Sequence, residues 1–182
     1  MPCREAWHRR RTSKMKFLGE YNMSALLSID RLALFVCRLG FAGLSPRAPG
    51  TCGTALAAVI APWCFLPLSY FWRGVVLLMI FFLGALAATR AERILGVKDP
   101  GQVVIDELLG LWLVLWPFAQ PSWKTILTAF VLFRVFDIVK FWPVRASETW
   151  LPDGYGVMLD DVLAGVQALL ALVVLRALWG AF

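Results

Sequence analysis

Apolar residues run along this chain in long blocks separated by short polar or charged breaks. The longest block, from Ala48 to Trp72, carries no charge, and a helix that crosses a bilayer needs roughly 20 apolar residues. Further uncharged blocks at Gly74–Thr89, Leu108–Trp123, Thr125–Phe133 and Val162–Leu175 are shorter. They cross only with help at their ends. Arg73, Arg90, Lys124 and Arg176 can give it by running aliphatic stems through the boundary and placing their charges among headgroups. The blocks predict spans at about 54–72, 74–89, 104–118, 122–137 and 161–180. Upstream, Ser28, Arg31 and Arg38 recur at helical spacing on one side of the 24–44 segment, which predicts an interfacial helix lying flat on the membrane. The run GLSPRAPGTCG then reads as a loop, since its prolines restrict the preceding residues and its glycines free the backbone.

The predicted fold is therefore all-α, a polytopic membrane helical bundle of about four to five transmembrane helices with an N-terminal interfacial helix. Residues 24–182 form one membrane-embedded domain in this reading, behind a basic, disordered arm at 1–23. Composition agrees: 60% of residues are hydrophobic and only 16% charged, and nine Trp suit interfacial anchoring.

The formal net charge is +6, with Arg4, Arg9, Arg10, Arg11, Lys14 and Lys16 concentrated in the arm. One short basic cluster beside a membrane segment points to membrane phospholipids of negative charge, not to nucleic acid. The loops at 90–103, with Arg90, Arg93 and Lys98, and at 137–160, with Lys140 and Arg145, hold more Lys and Arg than the opposite loops, which have only Arg73 and Lys124; this assigns them and the arm to the cytoplasmic side. The 43–53, 99–107 and 134–161 segments then share one face. Cys3, Cys37, Cys52 and Cys64 lack metal-site spacing, and the single histidine, His8, lies in the arm, so the cysteines read as idle thiols.

Charges that interrupt such a chain are costly and make functional candidates. DPGQVVIDELLG and GVMLDDVLAG share a design: an acidic pair, Asp106–Glu107 or Asp160–Asp161, opens an apolar helix, and Gly110 or Gly165 lies one turn in. Small residues let helices approach closely. Four carboxylates brought together repel unless they bind a cation or take up protons, and hard oxygen donors favour Mg²⁺. Either pair alone would also be explained by the positive end of its helix. Arg134, Asp137 and Lys140, spaced by three, share a side of a helix. An internal ladder of ion pairs is the plain reading; the one adopted puts Asp137 on the metal and Arg134 and Lys140 on a phosphate. Arg145, Arg47, Ser45 and Thr51 are further candidate phosphate contacts.

LSPRAPGTCGT, DPGQVVIDELLG, LFRVFDIVKFWP and DGYGVMLDDVLAG resemble, in order, the four signature segments of the phosphatidylglycerophosphatase A family, across most of residues 43–165. The resemblance implies a bacterial, Mg²⁺-dependent phosphatase of the inner membrane, its site near the cytoplasmic face. Such an enzyme converts phosphatidylglycerophosphate to phosphatidylglycerol and inorganic phosphate in phospholipid biosynthesis. The family's acidic and basic positions correspond to Asp106, Glu107, Arg134, Asp137, Lys140, Asp160 and Asp161. Two positions depart from the pattern: Phe141 stands where proline usually follows the lysine, and Thr54 where serine is common.

The expected chemistry is phosphomonoester hydrolysis at the bilayer surface, with diacylglycerol tails between spans. The attacking group is either a polarised water or an Asp137 or Asp160 carboxylate forming a phosphoenzyme. The rivals are another Mg²⁺-dependent lipid-headgroup enzyme and a small ion-coupled transporter, whose carboxylates would lie nearer mid-membrane. Oligomeric state is not fixed by the sequence.

Overall fold

The computed structural model describes residues 28–147 and 150–179. The basic arm expected at 1–23 lies outside the described residues. Among those described there are seven α-helices and one short 3-10 helix, with no strand. In chain order these are α1 (Ser28–Cys37), the 3-10 turn Ala42–Leu44, α2 (Pro49–Cys64), α3 (Tyr70–Leu95), α4 (Ile105–Leu115), α5 (Trp123–Val139), α6 (Val144–Ser147) and α7 (Gly154–Trp179).

Helix α4 is the axis of the bundle. All of its residues except Leu113 are buried, with α2, α3, α5 and α7 packed around it. A helix that is apolar nearly all round has no solvent face to offer and belongs at the centre. Its two charged residues, Asp106 and Glu107, stand in the first turn, at one end of this apolar core.

Helices α3 and α7 have 26 residues each, a rise of about 39 Å that exceeds the ~30 Å hydrocarbon layer. Only 28% and 44% of their most apolar stretches are buried. The rest faces outward, as with Leu78, Met79, Phe82, Leu83 and Leu86 on α3. Outward apolar faces of this length fit lipid, and the chain is a membrane protein. Among the described residues two helices qualify as spans on length and composition, where the sequence predicts four to five. With 16, 11 and 17 residues, α2, α4 and α5 rise about 24, 17 and 26 Å, less than the hydrocarbon depth.

All five predicted apolar segments are helical, but their ends differ. The first stops at Cys64, short of residue 72; the second runs through Arg90 and Arg93 to Leu95; the last starts at Gly154. Charge marks where a helix leaves lipid, and the helix itself continues. The interfacial segment also ends early, at Cys37, because Leu39 and Gly40 turn to positive φ. Asp30 on α1 meets Arg90 on α3 at 2.6 Å, while Ile29, Leu32 and Phe35 are exposed.

Arg73 overturns its expected role. It is 2% exposed and donates to Leu68 O at 2.9 Å, Trp116 O at 2.9 Å, Phe118 O at 2.7 Å and Ala119 O at 3.3 Å, and to Leu66 O. Instead of reaching for headgroups it ties the chain following α2 to the chain following α4, satisfying carbonyls that helix ends leave free.

Candidate active site

At the other end of the bundle the charged segments converge. A Cβ on Gly165 would lie 2.8 Å from Gly110 O and 3.3 Å from Gly110 Cα, so α4 and α7 touch backbone to backbone at the two glycines. That contact sets the two acidic pairs together at the floor of a cavity of about 230 Å³. The lining is Pro49 and Gly50 from α2, Asp99, Gly101 and Val103 before α4, Asp106 and Glu107, then Arg134, Asp137 and Lys140 of the α5 end, and Val157, Asp160 and Asp161 of α7.

Each acidic pair holds itself in place, for Glu107 N–H donates to Asp106 Oδ1 and Asp161 N–H to Asp160 Oδ1, both at 3.1 Å. Asp106 and Glu107 open α4, where the helix's positive end favours them. Asp160 and Asp161 do not open α7, which starts at Gly154. They lie nearly two turns in, beyond the reach of that end effect. The expectation that both pairs begin helices therefore holds for one, and the second pair is buried without that compensation.

Asp99 aside, the carboxylates of the cavity divide by their nearest partners. Asp137 Oδ2 is 2.7 Å from Arg134 Nη1, and Asp160 Oδ2 is 2.8 Å from Lys140 Nζ. Asp106, Glu107 and Asp161 instead face one another, each with an oxygen within 4.8 Å of the others. Glu107 Oε2 and Asp161 Oδ2 are buried with no hydrogen-bond partner. Buried carboxylate oxygens without donors are costly, and three converging ones fit a hard divalent cation of the Mg²⁺ class.

Arg134 is held on several sides. Beyond Asp137, its Nη1 lies 3.6 Å from Glu107 Oε1 and donates to Thr54 Oγ1 at 3.5 Å; Thr54 in turn donates to Gly50 O at 2.9 Å. A Cβ on Gly50 would overlap Glu107 Oε1 and crowd the Arg134 guanidinium, so a side chain there would displace the Glu107 carboxylate. The plain ladder reading accounts for the Arg134–Asp137 contact, whereas Lys140 reaches off its own helix to α7. Lys140 caps α5 in the left-handed region at φ +48, a conformation that costs a non-glycine residue about 1–2 kcal/mol. Phe141 leaves this arrangement intact and packs edge-on to Phe136, centroids 5.7 Å apart.

The weaker phosphate candidates lie elsewhere. Arg47 and Arg145 are exposed and Ser45 is half-buried, all outside the cavity lining; Thr51 lines a separate groove. Two residues went unremarked in the sequence as site members. Asp99 lines the cavity from the turn of DPGQVVIDELLG, at φ +47 and with its N–H on Glu92 Oε1 at 2.8 Å; the Asp-Pro-Gly triplet was its signal. Thr54 positions Arg134, a role that serine would share through the same hydroxyl. Among the described cysteines Cys52 and Cys64 are exposed and Cys37 is buried, its thiol pushed up to about 12 by burial first and the Asp106 charge second. Such a thiol is no nucleophile.

Known proteins carry the same chain pattern. A protein of Bacteroides thetaiotaomicron, provisionally named phosphatidylinositol-3-phosphatase, is 42% identical over 142 residues, covering 74% of this chain and 87% of its own. The phosphatidylglycerophosphatase A of Escherichia coli K12 is 35% identical over 131 residues, 70% of this chain and 74% of its own. That of Haemophilus influenzae is 40% identical over 138 residues, 72% and 82%. No solved structure matches. The profile of the family described as Phosphatidylglycerophosphatase A matches residues 35–176, and the chain belongs to that family.

Proposed function

We propose that this chain hydrolyses the terminal phosphomonoester of phosphatidylglycerophosphate, releasing phosphatidylglycerol and inorganic phosphate, with Mg²⁺ as cofactor. Family membership makes it a lipid phosphatase; the observation that carries the finer reading is the cavity in which Arg134 and Lys140 stand beside three converging carboxylates. In this reading Asp106, Glu107 and Asp161 hold the cation. When bound, it neutralises charge on the phosphoryl oxygens.

The remaining steps belong to the side chains. Arg134, oriented by Asp137 and Thr54, presents its planar fork to phosphate oxygens, and Lys140, held by Asp160, supplies a point charge. Both cations stabilise the negative charge that spreads over the equatorial oxygens as the P–O bond to glycerol breaks. Water adds to phosphorus, its proton passes to a cavity carboxylate, and the glycerol oxygen leaves with a proton as phosphatidylglycerol. Asp137 and Asp160 hold the two cations in place. The whole unit from residue 24 onward is one multi-pass domain of the bacterial inner membrane in this proposal. The cavity opens to the cytoplasm, the side to which the Lys and Arg of the loops assign it, and the arm at 1–23 is drawn to anionic lipid.

The test is phosphate release from phosphatidylglycerophosphate in detergent micelles by the purified chain, with Mg²⁺ or EDTA, beside Asp137→Asn and Asp160→Asn. Metal-dependent release lost in both folded variants supports the reading. A second reading rests on the Bacteroides relative, whose provisional name is for another lipid monophosphate. Phosphatidylinositol 3-phosphate therefore belongs in the same assay, and faster release from it would reassign the substrate. Release from neither lipid would reject both and reopen transport.

A further inference from the structure

Arg134 lines two hollows. Its guanidinium faces the carboxylate cavity, and it also borders a separate groove of about 310 Å³ between α2 and α5. Apart from Arg134 and Thr51, that groove is walled by apolar side chains of α5, among them Val131, Val135 and Ile138. These are 51%, 45% and 67% exposed. Leu127, one turn further along the same face, is 65% exposed. From Leu127 to Ile138 this face is an apolar track that rises about 17 Å, and Arg134, within its length, borders both the track and the charged cavity.

We propose that this groove seats an acyl chain of the lipid substrate, with Arg134 as the gate between tail and headgroup. The inference rests on the phosphatase reading above and names the path it needs. A lipid phosphomonoester has a charged end that must reach the carboxylates and an apolar end that must remain in hydrocarbon. One residue lines both the charged cavity and the apolar groove, so a molecule with both characters can occupy the two at once without burying its phosphate in lipid or exposing its chain to water. The outer faces of α3 and α7 are apolar too, but none of their exposed side chains lines the charged cavity. Bulk lipid covers those faces, and the α5 groove is the one that leads to chemistry.

Wild-type chain in mixed micelles, given phosphatidylglycerophosphate with a diazirine midway along one acyl chain, reads this directly. The label is expected on α5 between residues 131 and 138, and unlabelled substrate should displace it where excess phosphatidylcholine does not. Val135→Trp and Ile138→Trp should raise the micellar KM at least tenfold, whereas Leu83→Trp on the outer face of α3 should leave it within twofold. Label spread evenly over α3 and α5, or indifferent to unlabelled substrate, would mean that bulk lipid only fills the groove. An unchanged KM in both α5 variants would likewise overturn the proposal. Phosphate release by wild type in the same micelles separates this failure from failure of the phosphatase reading, because without release the substrate itself is wrong.

Discussion

Lys140 Nζ lies 2.8 Å from Asp160 Oδ2, joining the left-handed cap of α5 to the second turn of α7. Asp137 and Asp160 are the carboxylates in close contact with the two cations, while Asp106, Glu107 and Asp161 converge on one another, Glu107 also lying 3.6 Å from Arg134. A residue that caps its helix at φ +48 would be relieved by glycine. Lys140→Gly should therefore unfold within a few degrees of wild type in detergent while kcat falls about 10²–10³-fold, the usual effect of losing one charge-stabilising donor. Lys140→Met should lose a similar factor. The Lys140→Met, Asp160→Asn double variant should be little worse than the worse single one, since contacting residues are not additive. Full additivity would show that the two act separately.

The metal assignment makes a sharper distinction. Glu107→Gln and Asp161→Asn each remove a converging carboxylate, and the Mg²⁺ concentration for half-maximal rate should rise at least about tenfold. Lys140→Met should lower kcat with that concentration unchanged. Titration of each variant with Mg²⁺ checks both. A Glu107→Gln enzyme with wild-type Mg²⁺ demand would remove Glu107 from the ligand set.

Close approach at Gly110 and Gly165 is what brings the acidic pairs together. A Cβ on Gly165 meets Gly110 O at 2.8 Å, and one on Gly110 runs into the Phe133 ring. Overpacking of this kind costs about 1–3 kcal/mol. Gly165→Ala should lower the unfolding temperature in detergent and, by separating α4 from α7, reduce phosphate release more than stability alone explains. Parallel thermal scans and assays at a temperature where the variant is folded would show whether the two effects part.

Much of this was legible in the sequence because the signals were local. The five apolar segments, the paired acids and the glycine one turn after each follow from spacing, and the shared face of the three charged segments follows from loop charge. Helix ends were not legible, since Arg90, Arg93, Asp160 and Asp161 all lie inside helices that extend past the apolar block. Nor was the partition of carboxylates. The three-residue spacing lets Asp137 reach Arg134 on its own helix, but whether either also meets the acids of α4 and α7 depends on the rotation of α5, on which the spacing is silent. The same limit put Thr51 with the phosphate contacts, although Gly50, one position earlier on α2, is the residue that lines the cavity.

Arg73 illustrates a fold determinant hidden from any one-dimensional pattern. Its guanidinium meets five backbone carbonyls from two separate loops, which a lysine ammonium cannot reproduce. Each carbonyl left buried without a donor costs about 1–3 kcal/mol. Arg73→Lys should therefore lower the unfolding temperature clearly, and Arg73→Met further. Because Arg73 lies at the opposite end of the bundle from the cavity, phosphate release per folded molecule should stay within twofold. A selective loss of kcat in folded protein would assign Arg73 a part in the reaction.

The carboxylate oxygens already engaged bear on which group attacks. Asp160 accepts from Lys140 at Oδ2 and from Asp161 N–H at Oδ1, and Asp137 Oδ2 is bound by Arg134. A carboxylate committed to cations on this scale is a poor nucleophile, which favours direct attack by water. One in-line displacement inverts configuration at phosphorus, whereas passage through an aspartyl-phosphate involves two displacements and retains it. Hydrolysis of a substrate with a chiral, isotopically labelled terminal thiophosphate should therefore proceed with inversion, and rapid acid quench should trap no phosphate on the protein. Retention, or a phosphoenzyme lost in Asp137→Asn but not in Asp160→Asn, would make Asp137 the nucleophile, with Arg134 orienting it.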